Sequence, residues 1–211
     1  MRFIKQRWRT LVFAAVTAVG AVCVSGCGGD DGGDDGSLNY GGKTYRTEVI
    51  DGKRWMAENL NYKPSSGGSW CYGDNDVNCN KYGRLYDWET ARAVCPDGWR
   101  LPDRADWNGL VNAAGGSYTA GKKLKSKSDW KVRSDGSSGN GTDDFKFSAI
   151  PGGTRDPGGD FSFVGEFGYW WTATAEDDRG FVYMQGMGYI DDNVDERSSS
   201  DRIGFSVRCV K

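Results

Sequence analysis

Six cysteines and no histidine bound the chemistry open to this 211-residue chain. Without histidine the usual general base, the usual zinc ligand and every Ser-His or Cys-His nucleophile pair are missing, which disfavours most hydrolytic mechanisms. Four cysteines, Cys71, Cys79, Cys95 and Cys209, lie beyond the amino-terminal leader; in an exported chain an even set reads as two disulfides in one of three connectivities. We expect 71–79 and 95–209. The first closes a short loop rich in Gly and Asx turn formers. The second ties a helix end to the last strand, a closure worth roughly 4 to 5 kcal/mol in the chain-entropy picture. A four-thiolate metal site is the competing reading, and the spacing lacks Cys-x-x-Cys. Two acidic sets could supply oxygens to a structural calcium: Asp74, Asp76 and Asn78, or Asp191, Asp192, Asn193 and Asp195. Cys79 stands where an EF-hand loop requires glycine, and Asx residues build solvated turns equally well. No other cofactor is expected.

The fifth cysteine, Cys27, has a different chemistry. Arg2, Lys5, Arg7 and Arg9 precede an uncharged, mostly apolar run from Leu11 to Val24, which reads as a secretory signal over residues 1–26. The run is shorter than the roughly 20 apolar residues a spanning helix needs. Val24-Ser25-Gly26-Cys27 resembles the bacterial lipobox, implying cleavage before Cys27 and acylation of that residue with chains such as palmitate. Several chains at about 0.8 kcal/mol per buried methylene would hold the protein to a membrane; ordinary signal cleavage is the alternative. Residues 27–37 are Gly, Asp and Ser behind the cysteine, a self-repelling tether. An acidic run in that position resembles the export signals of some surface lipoproteins, so the expected place is the cell envelope, in the outer membrane and at the cell surface.

Removing the signal leaves 23 basic against 29 acidic residues, a net charge of −6. That balance argues against nucleic acid as a partner, since binding it needs a clustered basic face. The one basic cluster, Lys122 to Lys127, reads as a solvated turn. Residues 38–211 suit one domain.

The chain must position these groups with short elements. Leu38–Ile50 and Lys53–Asn59 are alternating segments joined by Asp51-Gly52, a hairpin signal. Leu85–Cys95 carries a helical stripe stopped by Pro96, and Asp103 reads as the N-cap of a second helix that buries Trp107, Leu110, Val111 and Ala114. Beyond Gly115-Gly116 helical signals cease. Trp130, Phe145–Ile150, Tyr169–Thr174, Gly180–Met184 and Ile203–Val210 read as short strands. Two helices followed by an antiparallel meander predict an α+β domain.

The Cys95-Pro-Asp-Gly-Trp-Arg-Leu-Pro102 segment, Trp107 and the Gly204-Phe-Ser-Val-Arg208 ending resemble the C-type-lectin-like fold and its formylglycine-generating branch. The span from Tyr45 to Val210 more closely resembles the Fibrobacter succinogenes major paralogous domain of bacterial lipoproteins. Trp55-Met-Ala-Glu-Asn-Leu-Asn-Tyr62, Cys71-Tyr72, Tyr82-Gly-Arg-Leu-Tyr86, Gly139-Asn-Gly-Thr-Asp-Asp-Phe145, Pro151-Gly-Gly153 and Tyr169-Trp-Trp171 carry that likeness. The resemblance implies a C-type-lectin-like domain with two helices and a twisted antiparallel sheet, disulfide-stapled, and no established activity. On such a fold Tyr169, Trp170, Trp171 and Tyr183 could offer flat aromatic surfaces to a sugar, and alternation lets only one of Trp170 and Trp171 face the core. The sugar-binding triplets of calcium-dependent lectins are absent. The expected function is a lipid-anchored module that binds a glycan or an envelope protein and catalyses nothing. The alternatives are an assembly protein without a small-molecule site and, by fold analogy alone, a cysteine-oxidising enzyme.

Overall fold

The computed structural model describes residues 36–211. The signal over 1–26, Cys27 and all but the last two tether residues fall outside the described residues. Ser37, expected to end the tether, instead begins the first strand.

The chain enters a three-stranded antiparallel sheet of β1 (Ser37–Tyr40), β2 (Lys43–Ile50) and β3 (Lys53–Met56). Asp51 and Gly52 both take positive φ, 52° and 72°, which makes the expected type I′ hairpin between β2 and β3. The run from Leu38 to Ile50 is not one strand. Gly41 and Gly42, at φ 59° and 79°, fold it into a second two-residue hairpin that pairs Leu38 with Tyr45.

Next come β4 (Ser69–Trp70), a 3-10 turn (Tyr72–Asp74), α1 (Asp76–Tyr82), β5 (Leu85–Tyr86), α2 (Trp88–Ala93), α3 (Arg104–Ala113) and α4 (Ala120–Leu124). Asp87 caps α2 by accepting from the Thr90 N–H at 2.9 Å, so the expected helix loses its first turn to β5. Asp103 caps α3 as expected, and Asp106 returns a bond to the Asp103 N–H at 2.8 Å, a capping box. Helices α1 and α4 contradict the expectation of a bare turn between Cys71 and Cys79 and of no helix past Gly116. Both are short and held by tertiary contacts: Cys79 anchors α1, and α4 buries Ala120, Gly121 and Leu124.

The later strands are β6 (Thr154–Arg155), β7 (Phe161–Ser162), β8 (Phe167–Ala175), β9 (Phe181–Gly188), β10 (Asp195–Ser200) and β11 (Phe205–Ser206). The main sheet runs β10-β9-β8-β11-β5-β4, with β6 and β7 as a separate hairpin. It is mixed, since β11 lies parallel to β8. The expected antiparallel meander is corrected: the closing strand inserts between β8 and β5, and residues 204–210 are all buried. Phe145–Ile150 and Trp130 are loop rather than strand; Lys146 and Ser148 both sit at φ 52°, which interrupts any ladder.

Core residues lie on both faces of β8. Trp171 joins Tyr86, Met184 and Phe205 on one side, and Trp170 joins Trp55, Trp107 and Phe147 on the other. The expectation that only one of the two tryptophans faces a core is therefore wrong. Alternation does send them to opposite faces, but the β1–β3 sheet with α2 covers one face and α3 with the 145–150 loop covers the other.

Asn59 joins the closing strand to these layers. Its Oδ1 accepts from Trp170 Nε1 and from Arg208 Nε, both at 2.9 Å, while Nδ2 donates to the Tyr82 carbonyl at 2.9 Å and Ser206 Oγ at 3.2 Å. Arg208 is fully buried and also donates to the carbonyls of Met56, Phe147 and Ser148. Burial pushes its guanidinium down to about 9, which leaves it charged at neutral pH.

Candidate functional site

Trp170 and Trp171 present no surface to a ligand, because both are 0% exposed. Trp171 Nε1 donates to the Tyr86 carbonyl at 2.7 Å and Trp170 Nε1 to Asn59, so both polar handles are spent inside. Their expected place in a binding surface is corrected; they are core residues. Tyr183 is half-buried beneath Arg104, whose guanidinium carbon sits 3.8 Å from the ring centroid and which also pairs with Glu196.

Tyr169 has a different setting. On its face of β8 burial fades along the strand, from Trp171 at 0% exposure through half-buried Tyr169 and Phe167 to Phe163, 49% exposed in the preceding turn. The Phe167 and Tyr169 rings are parallel, 4° apart in plane with centroids separated by 5.9 Å. Phe163 meets Phe167 edge-on at 5.7 Å, and Tyr189 also meets it edge-on at 6.1 Å. Ile190, 56% exposed, follows Tyr189.

Two glycines make this ladder. Across the β8–β9 pair, Phe167 opposes Gly188 and Tyr169 opposes Gly186. A Cβ on Gly188 would stand 2.8 Å from the Phe167 ring and one on Gly186 would stand 3.2 Å from that of Tyr169. The rings therefore lean onto bare backbone, and Tyr169 also meets the core ring of Phe205 at 5.2 Å while both Phe167 and Tyr169 stay half-exposed. Polar groups border them: Asp195 lies opposite Gly186 on β10 and pairs with Arg197 at 2.8 Å, and Lys131 pairs with Glu166 at 2.8 Å while lying over the Tyr189 ring at 5.3 Å. Burial raises the Tyr169 hydroxyl pKa, so it stays a neutral donor. An aromatic strip edged by fixed charges can take the apolar face of a sugar ring while hydrogen-bonding its hydroxyls.

The end of β9 is held by Lys125, expected in a solvated turn but 0% exposed. Its Nζ donates to the carbonyls of Gly188 at 3.0 Å and Asp191 at 2.6 Å. Burial lowers this ammonium to about 8, against the pull of Asp192.

Neither acidic set forms an oxygen cage. Among the described residues no group of three or more His, Cys, Asp or Glu side chains stands together to hold a metal. Asp192 pairs with Arg133 at 2.6 Å, Asp195 with Arg197, and Asp191 accepts from the Asn193 N–H at 3.0 Å. In the other set Asn78 donates to the Tyr72 carbonyl at 2.8 Å and Asp76 opens α1. Both sets are built as turns and ion pairs, the reading weighed against calcium.

Both disulfides form as expected, Cys71–Cys79 and Cys95–Cys209, and no free thiol remains among the described residues. A cavity of about 750 Å3 lies where the chain enters the domain and is lined by Tyr40, Asp97, Trp99 and Lys211 among others. Tyr40, whose ring lies 4.4 Å from that of Tyr62, also lines a smaller groove of about 420 Å3. Burial and the neighbouring Tyr62 push the Tyr40 hydroxyl up to about 12.

The motif-bearing residues thus converge on the interior. Asn59 and Arg208 meet Trp170, and Tyr86 backs Trp171. The profile of the Fibrobacter succinogenes major domain family matches residues 49–211. The chain belongs to that family. No curated protein and no solved structure matches it. Within this family domain, reading the residues one at a time missed Phe163, Phe167, Tyr189 and the two glycines. The signal that could have found them is the paired period of two in Phe167-x-Tyr169-x-Trp171 and Gly186-x-Gly188.

Proposed function

We propose that this protein is a lipid-anchored extracytoplasmic module that binds glycan through the Phe163–Phe167–Tyr169 ladder and catalyses nothing. The observation that carries this reading is the ladder itself: parallel rings laid over Gly188 and Gly186 at the margin of a core that has already buried Trp171. Large aromatics left at a surface beside polar groups are the usual means of gripping sugar rings. Anchoring rests on the lipobox-like Val24–Cys27 segment, and placement in the outer membrane on the acidic residues behind it.

We also propose a C-type-lectin-like architecture. In its favour, Cys95 beyond the first long connection is bonded to Cys209 of the closing strand, and Lys211 pairs with Arg54 through backbone bonds of 2.9 Å, bringing the ends of the domain together. Oxygen-dependent cysteine chemistry of the formylglycine-generating kind needs free thiols, and the four cysteines of the domain are paired.

The experiment is binding of the full chain to a glycan array and to insoluble polysaccharides, compared with the Phe163→Ala/Phe167→Ala double variant. Glycan binding lost in the variant supports the reading. Absence of glycan binding, with envelope proteins recovered in a ladder-dependent pull-down, would replace it with the assembly role, for which the exposed Phe163 and Ile190 would be the contact.

A further inference from the structure

A second cleft, sharing no lining residue with the ladder, lies where Trp70 of β4, Arg155 of β6 and the turn after β10 converge beside the head of α2. It encloses about 240 Å3, and Asp87, Glu89, Asp201 and Arg202 contribute its polar wall. Trp70 is half-buried and folds over Gly68, where a Cβ would lie 2.3 Å from the indole. The Arg155 guanidinium carbon sits 4.2 Å from the Trp70 ring centroid and 5.7 Å from that of Phe161, which aligns it without a carboxylate. Its side-chain hydrogen bond goes to the Asp156 carbonyl at 3.3 Å.

The polar groups divide into those already used and those open. Asp87 accepts from the N–H groups of Gly68 and Thr90, and Glu89 pairs with Arg92 at 3.4 Å. Among the described residues no hydrogen bond or ion pair engages the side chains of Asp201 or Arg202. The cleft therefore holds one open carboxylate, two guanidiniums free of carboxylates and an aromatic wall, in a volume fit for a single small ring. A carboxylate accepts from adjacent hydroxyls, a guanidinium donates to hydroxyl or ring oxygens, and the indole takes a CH face. Three carboxylates against two guanidiniums disfavour an acidic sugar.

We propose that this cleft binds one neutral hexopyranose ring packed beside Trp70, on the part of the indole that Arg155 does not cover, with hydroxyls held by Asp201, Arg155 and Arg202. The proposal goes beyond the ladder reading and uses different residues. Its test follows the indole N–H resonance of Trp70 in the full chain in detergent micelles, assigned by its loss in Trp70→Phe. The probes are the methyl glycosides of glucose, galactose and mannose, with glucuronic acid for comparison. At least one neutral glycoside should shift the resonance saturably, with a Kd of order millimolar. Asp201→Asn and Arg155→Ala should each weaken that binding about tenfold or more. Phe163→Ala/Phe167→Ala should leave the shift intact, which separates failure of the ladder from failure of the cleft. No shift with any neutral glycoside, unchanged affinity in both polar variants, or tighter binding of glucuronic acid would overturn the proposal.

Discussion

Asn59→Ala should be among the most damaging single changes in the interior. The Asn59 amide has two acceptor sites and two donors, and all four are used, by Trp170, Arg208, Tyr82 and Ser206. Alanine leaves four buried partners without their bonds, at about 1 kcal/mol for each neutral one and about 2 kcal/mol for the charged guanidinium. The expected loss is about 5 kcal/mol, a large share of the total of about 5 to 15 kcal/mol typical of a domain. At about 2 to 4 °C per kcal/mol this lowers Tm by roughly 10 to 20 °C. Asn59→Asp separates hydrogen bonding from bulk. It keeps acceptors for Trp170 and Arg208 and places a negative charge beside a guanidinium whose hydrogen-bond partners are otherwise carbonyl oxygens. It loses the donation to the Tyr82 carbonyl and sets a carboxylate oxygen against it, while the Ser206 hydroxyl can turn to donate, so it should cost about 2 kcal/mol, less than alanine. Urea unfolding followed by tryptophan fluorescence, with disulfides intact, measures both variants. An alanine variant within about 1 kcal/mol of the wild type, or an aspartate variant less stable than the alanine one, would refute the hub argument.

Three further outcomes test other parts of the structure. Removing the Cys95–Cys209 link by double alanine substitution should cost about 5 kcal/mol, and removing Cys71–Cys79 about 2.6 kcal/mol, in the chain-entropy picture; equal losses in denaturant unfolding would count against the loop-length account. Burial of the Asp106 carboxyl favours its neutral form, but hydrogen bonds from Arg100, Lys53 and the Asp103 N–H outweigh this and hold its pKa well below the usual carboxylate range. A depressed folded-state pKa contributes stability that is fully present above the unfolded value of about 3.9 and is lost as pH falls below it; urea midpoints of the wild type should drop more steeply than those of Asp106→Asn below about pH 4, and parallel curves would count against the pairing. Gly188→Val should lift the Phe167 ring from β9 and abolish ladder-dependent glycan binding while the far-ultraviolet circular dichroism is kept; retained binding would dissociate the ladder from function.

Much was legible in the residues alone. The cysteine pairing followed from a Gly- and Asx-rich short loop and from one helix end and one closing strand needing a tie. Asp51-Gly52 announced its hairpin because those residues tolerate positive φ, and Asp103 announced its helix because a carboxylate satisfies free N–H groups. These are local matters, decided within a few residues. Helix α1 and strand β10 escaped notice for the converse reason: Asp195–Ser200 carries no apolar residue, and only pairing with β9 makes it a strand.

The chain sequence by itself determined the pairing of its cysteines, its hairpin turns, its main helix and its membership of an α+β family. The tertiary structure decided which aromatics are core and which are surface. Alternation along β8 sends Trp170 and Trp171 to opposite faces, but whether a face is dry depends on what distant segments lay over it. Residues of the amino-terminal sheet and α2 cover Trp171, those of α3 and the 145–150 loop cover Trp170, and neither cover seals off Phe163, Phe167 and Tyr169. Burial is a property of contacts remote in sequence, so no period within one strand can specify it.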